Sequence, residues 1–222
     1  MKRLFIKIMA AMAVAFTVIA PSYGASEQRD TLNAGEVFVN LPLKTLDILS
    51  KSRRMDMLDY YAADSIYKAP NGMEGLSELV EVTPDFLEVK ITPVTAMQIV
   101  MLRSGKDPAA MVLYTIGGDG QAADTDVAFF DKDMKELPRK KYLEYPDIID
   151  FFNVPDKEVK QRIEELVPFP TIEFGASPGT TDLTARLTVG EFMGRENYDY
   201  IKKYLKPELR FRWNGKRYEM VK

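Results

Sequence analysis

The chain has 222 residues, a formal net charge of −3, and neither cysteine nor histidine. Those two absences exclude disulfides, thiolate and imidazole metal sites, thiol nucleophiles, an acylated-cysteine anchor and every catalytic triad that uses imidazole. Catalysis would need a carboxylate, Lys, Tyr or Ser tuned by burial or charge, and the acidic balance argues against general nucleic-acid binding.

Met1 to Gly24 reads as a secretory signal peptide. Lys2, Arg3 and Lys7 are its basic start, Ile8 to Ala20 its apolar run, and Ser22-Tyr23-Gly24 a small-x-small cleavage site before Ala25. The apolar run is shorter than the roughly 20 residues a spanning helix needs. Cleavage leaves 198 residues with a net charge of −6, because the leader holds three bases and no acid. No second run is long enough for a membrane span. Residues 25–222 therefore read as one exported domain, periplasmic first and released second, with a candidate subdomain break near 138–146.

Ser26 to Gly35 is polar. Glu36 to Asn40 reads as a short strand or extended lead-in. Asn40 is placed to cap a helix with Pro42 in its first turn. That helix is expected to reach about Ala63, or to divide near Ser50–Arg54. Leu46, Leu49, Met57, Tyr60 and Tyr61 would form its apolar stripe. Tyr67 to Gly75, with Pro70 and Asn71-Gly72, is a loop.

Five strands are expected next: Leu76 to Val82, Phe86 to Ile91, Thr95 to Leu102, Ala109 to Ile116 and Thr125 to Phe130. Leu87, Val89 and Ile91 alternate with Glu88 and Lys90, giving one wet face. The third and fourth strands are apolar on both faces, so they should be central and covered twice. Links this short make an antiparallel meander. Met97, Met101 and Met111 fall in these strands as packing residues.

Beyond it, a short helix is expected after Pro146, an amphipathic helix from Pro155 to Val167, and a strand at Thr171–Phe174. A turn at Gly175–Gly179, an alternating strand at Thr181–Val189 and a helix at Arg195–Leu205 follow. The chain ends in a hairpin, Leu209–Trp213 and Lys216–Val221, around Asn214-Gly215, the type I′ signal. The fold class is α+β: an antiparallel meander sheet packed against several helices on one side, with a C-terminal β-hairpin.

Gly118-Asp119-Gly120-Gln121-Ala122-Ala123 matches a dinucleotide fingerprint, but no crossover helix fits before the next strand, so it reads as a loop. No cofactor is expected. Asp119, Asp124 and Asp126 cluster there as metal candidates, without calcium-loop spacing or a closing Glu. Asp131 and Asp133 fit turn chemistry better than a glycosidase pair. Asp56 and Asp59 are explained by surface pairing with Arg53. The terminal hairpin is the candidate binding surface: Arg210, Arg212, Lys216 and Arg217 are basic within an acidic chain, and Trp213 and Tyr218 are large amphipathic rings. Alternation alternatively places Leu209, Phe211 and Trp213 in the core and the arginines in water.

The strings Val37-Phe38-Val39-Asn40-Leu41-Pro42, Arg54 to Tyr61 (RMDMLDYY), Leu79 to Val89 (LVEVTPDFLEV), Phe129-Phe130-Asp131 and Lys135-Glu136-Leu137-Pro138 resemble a secreted domain-of-unknown-function family of about 200 residues from Bacteroides-type bacteria. The resemblance covers most of the chain after the leader. It implies a Gram-negative envelope and carries no active site. The functional expectation is a soluble, non-catalytic envelope protein that binds another protein or a surface polymer, with no integral membrane anchor. One alternative is an apolar-ligand carrier with a cavity lined by Phe151, Phe152 and Tyr198. Another is a carboxylate-dependent glycan hydrolase.

Overall fold

A computed structural model describes residues 32–104, 107–117, 122–191 and 193–221. The expected leader lies outside these residues, as do Gly118, Asp119, Gly120 and Gln121.

Seven strands follow one another in space in chain order: β1 (Lys68–Pro70), β2 (Leu76–Val82), β3 (Phe86–Thr92), β4 (Thr95–Met101), β5 (Ala110–Ile116), β6 (Asp124–Phe130) and β7 (Glu136–Leu137). Each pairs antiparallel with the next, as short links require. Thr83 closes the β2–β3 turn, its backbone donating to Phe86 O and its hydroxyl accepting from Phe86 N. β1 corrects the reading of Tyr67–Gly75 as loop throughout. Its Pro70 is tolerated because β1 is the sheet edge, and only the remainder, where Asn71 Oδ1 accepts from Met73 N and Gly75 N, is a turn.

The start of the chain also differs from expectation. Glu36–Asn40 is not extended but belongs to helix α1 (Ala34–Asn40). Asn33 and Glu36 form a reciprocal capping box at its first turn, which outweighs the strand preference of Val37, Phe38 and Val39. Asn40 ends that helix rather than starting another. Leu41 to Ser50 form turns that bury Leu41, Leu46 and Leu49, and α2 (Lys51–Ala62) begins only after its cap Ser50. Tyr60 and Tyr61, expected on the buried stripe, are exposed.

The fold is α+β with the expected antiparallel meander, helices and C-terminal hairpin, and the second half adds that hairpin to two further strands in a separate sheet. Strands β8 (Ile172–Ala176), β9 (Leu183–Leu187), β10 (Leu209–Trp213) and β11 (Tyr218–Val221) are ordered β11-β10-β9-β8. Helix α3 (Lys157–Leu166) precedes this sheet, and α4 (Arg195–Ile201) lies between β9 and β10. Helix α4 ends at Ile201 rather than Leu205, which instead bridges to Phe152.

Both faces of the central strands are covered, as their double apolarity predicts. Met97, Ile99, Met101 and Val112 are buried with Val37, Phe38 and Met57 of α1 and α2. Val100, Met111, Leu113 and Phe129 are buried on the other face with Phe174, Ala185 and Phe211 of the second sheet. Tyr142 and Leu143, in the segment read as a candidate break, are buried in that same cluster.

The outer edge of β8 would leave alternate N–H groups unpaired. Three side chains of the first sheet take them up. Ile172 N donates to Asp124 Oδ1 at 3.1 Å, Phe174 N to Thr125 Oγ1 at 3.0 Å and Ala176 N to Gln98 Oε1 at 2.9 Å. Thr125 is buried and shares a 2.9 Å hydrogen bond with Thr115 Oγ1. Thr125→Val keeps the volume and orphans a buried N–H, so it should cost about 2 kcal/mol in chemical denaturation, with Thr125→Ser near the parent. A Val variant within about 0.5 kcal/mol of the parent would show that water replaces the hydroxyl.

Candidate functional site

The terminal hairpin sorts its residues by alternation. Leu209, Phe211 and Trp213 are buried and Arg210 and Arg212 are exposed. Its loop is four residues long rather than a two-residue type I′ turn, because Trp213 pairs with Tyr218 and the positive φ falls on Gly215. Asn214 Oδ1 accepts from the backbone of Lys216 and Arg217 and holds that loop.

Trp213 and Tyr218 are core side chains and present no face for stacking on a partner. Trp213 Nε1 donates to Ser104 Oγ at 2.9 Å, and Tyr218 Oη donates to Thr181 O at 2.8 Å. Burial pushes the Tyr218 phenol upward, and it pushes that of Tyr145, which donates to Thr125 O, up to about 12. Both phenols are neutral donors near neutral pH, the opposite of what a catalytic base requires.

The arginines face water, but each meets a carboxylate. Arg210 pairs with Glu208 at 2.7 Å, Arg217 with Glu144 at 3.5 Å, Arg212 with Asp182 at 4.0 Å, and neighbouring Arg186 with Glu173. Exposed pairs of this kind contribute at most about 1 kcal/mol each. The hairpin surface mixes these arginines with acids, and Lys216 makes no ion pair with the described residues.

The acidic candidates separate as well. Asp119 lies outside the described residues. Asp124 is occupied by the β8 edge, and among the described residues no three His, Cys, Asp or Glu are grouped to hold a metal ion. The antiparallel pairing of Ile116 with Asp124 leaves no crossover for a dinucleotide site. Asp131 Oδ1 accepts from the backbone of Asp133 and Lys135, which is turn chemistry. Arg53 does not pair with Asp56: its Nη1 donates to Pro70 O.

Two other surfaces emerge. The first is the β1–β2 edge. Tyr60, Tyr61, Ile66, Met73, Leu76 and Val80 are exposed there, Ile66 at 89%. β1 pairs only with Leu76–Glu78, so among the described residues the edge of β2 beyond them has no strand partner. Val82 N donates instead to Tyr61 Oη at 3.3 Å. A groove of about 250 Å³ runs alongside, lined by Met57, Tyr61, Ile66, Tyr67 and Leu79 with Asp64 and Glu78. From Asp56 to Val82 the chain holds six acids and one base.

The second surface is an open groove of about 1080 Å³ where the end of β9 meets α4. Arg186, Arg195, Lys202 and Lys206 line it against Asp199, with Tyr198 in its wall. The acidic run of the first surface is visible in the sequence, whereas its coincidence with an open strand edge is not. The second draws on residues 186–207 alone, with Arg195, Tyr198, Asp199 and Lys202 at helical spacing, and only the fold sets them against the end of β9.

Residues 27–218 match the profile of a family described as "Protein of unknown function (DUF3256)". The chain belongs to this family. Both surfaces lie within the DUF3256 region, as does all but the tail of β11. A solved structure titled "Structure of a domain of an uncharacterized protein from Porphyromonas gingivalis W83" is similar in fold. Its TM-score is 0.72 at 19% identity, over 84% of this chain and 96% of that one. No curated protein matches the chain. Among the described residues no helix is long and apolar enough to cross a membrane.

Proposed function

We propose that this DUF3256 protein is exported and acts without catalysis, docking an extended basic and apolar segment of another envelope protein along the β2 edge. The observation that carries this reading is the coincidence of exposed apolar side chains, an unpaired strand edge and a local excess of acid. Contiguous exposed apolar surface marks interaction sites. A strand added at an open edge gains main-chain hydrogen bonds, while side-chain pockets set specificity. The acidic rim favours a partner carrying Lys or Arg. Export rests on the leader, and the family region begins at residue 27, just past the expected cleavage point.

The alternatives have less support. Phe151 and Phe152 are buried in the core, while Tyr198 lines an open groove, so these three do not enclose one cavity. Of the pair weighed for hydrolysis, Asp131 holds a turn through the backbone of Asp133 and Lys135.

The test uses fluorescence anisotropy with two synthetic peptides, one alternating lysine with valine and one alternating glutamate with valine. The lysine peptide should bind and the glutamate peptide should not. Val80→Lys and Glu81→Lys should each weaken binding about tenfold, the scale of one lost apolar or charged contact. Equal binding of both peptides, or none of either, sinks the docking reading. An intact mass beginning at Met1 in protein recovered from cells would sink export.

A further inference from the structure

The groove between β9 and α4 is far from neutral, unlike the hairpin surface. Arg186 is engaged by Glu173 and Lys202 by Asp199. Lys206 Nζ donates to Asp150 O at 2.8 Å, a neutral partner that leaves its charge uncompensated. Arg195 makes no ion pair with any residue whose side chain is described, a set that does not include Glu191. Arg195 and Lys206 thus line one wall in a chain whose net charge is negative.

Tyr198 is held at this wall by Gly190. A Cβ at Gly190 would lie 2.6 Å from the Tyr198 ring, so only glycine lets the ring lie against that backbone. On the other flank of α4 a trough of about 500 Å³ is lined by Arg162, Tyr200 and Lys203 and shares Asp199 and Lys202 with the groove. Cations and tyrosine rings therefore flank α4 on both sides, with Glu196 and Asp199 among them. The groove is open to solvent, whereas small-molecule sites enclose most of their ligand. That shape suits a length of polymer passing through better than a small molecule held within.

We infer that this groove binds a segment of an anionic polysaccharide, its acidic groups on Arg195 and Lys206 and a sugar face on Tyr198. Charged groups fix the acidic substituents by charge-assisted hydrogen bonds, and the apolar face of the ring covers sugar C–H groups as other amphipathic rings do. The site is separate from the β2 edge and does not depend on it.

Affinity electrophoresis of the full chain tests this with three polymers: polygalacturonate, dextran and poly-L-glutamate. Polygalacturonate should retard the protein, neutral dextran should not, and poly-L-glutamate should do so weakly. The double variant Arg195→Ala/Lys206→Ala should weaken retardation by polygalacturonate about tenfold or more, as loss of charged hydrogen bonds predicts. Gly190→Ala, which moves the ring and leaves every charge in place, should also weaken it. Circular dichroism of each variant separates lost binding from lost folding. No retardation by polygalacturonate, equal retardation by poly-L-glutamate, or folded variants that bind as the parent does would each overturn the inference. Val80→Lys should leave retardation intact, so a failure at the β2 edge and a failure here are read independently.

Discussion

Arg54→Ala should lower the unfolding free energy by about 3 kcal/mol. Arg54 is 1% exposed and has no carboxylate beside it. Its Nη1 donates to Phe38 O at 2.7 Å and to Leu41 O at 3.0 Å. These carbonyls lie at the C-terminal end of α1, whose own last turn carries no base. Arg54 thus supplies from α2 the cation that the helix end favours. Three terms decide the size of the effect. Two buried carbonyls lose charged donors, at about 1.5–3 kcal/mol per bond. The missing side chain leaves a cavity beside Phe38 and Met57. Against these, the cost of keeping a guanidinium out of water, several kcal/mol, disappears. That cost is visible in the lowered pKa of Arg54, caused by burial, and in an Nε that finds no partner. The first two terms outweigh the third because the carbonyls stay buried in the variant. Arg54→Met restores volume but no donor and should recover only the cavity term. Urea denaturation measures both, with the midpoint shifted and the slope unchanged. A methionine variant at least as stable as the parent would show that desolvation cancels the two hydrogen bonds.

Gly117→Ala should cost a similar amount, about 3 kcal/mol, for a different reason. Gly117 follows β5 at φ +98°, a region that L side chains avoid. A Cβ there would lie 2.0 Å from Ala122 O and 2.9 Å from Ala123 Cα. Both obstacles are backbone, so no rotamer change relieves them. Moving Gly117 also strains the 2.8 Å bond from its N–H to Val94 O. Gly179 provides the control. Its φ is +77°, but nothing lies within 4 Å of its Cβ position, so Gly179→Ala should cost only about 1 kcal/mol. Thermal unfolding of the two variants side by side separates close approach from conformational preference. Equal shifts would show that the loop after Gly117 yields freely.

The sequence was most legible where the period-2 pattern was clean. Leu87, Val89 and Ile91 alternate with charges and do enter one core. The apolar runs of β4 and β5 are covered on both faces. The misreadings have separate causes. At Glu36–Asn40 a local strand preference lost to a capping box that pairs Asn33 with Glu36. Tyr60 and Tyr61 fit an apolar stripe, but the edge they flank has nothing beyond it to bury them. Of the hairpin arginines, Arg210 has a partner visible beside it in the sequence, Glu208, while Asp182 and Glu144, the partners of Arg212 and Arg217, are distant in the chain.

By itself, the sequence determined the chemistry this protein lacks and the local alternation of its strands. No cysteine or histidine can be restored by folding, and a period of two survives wherever one face is buried. Tertiary structure alone decided that there are two sheets, that Arg54 is buried, and that acids gather at one open edge while cations gather at a groove. The sheet pairing and the burial of Arg54 depend on contacts between residues far apart in the chain, whereas the acids and the cations are runs the sequence shows and the fold only sets against an edge and a groove.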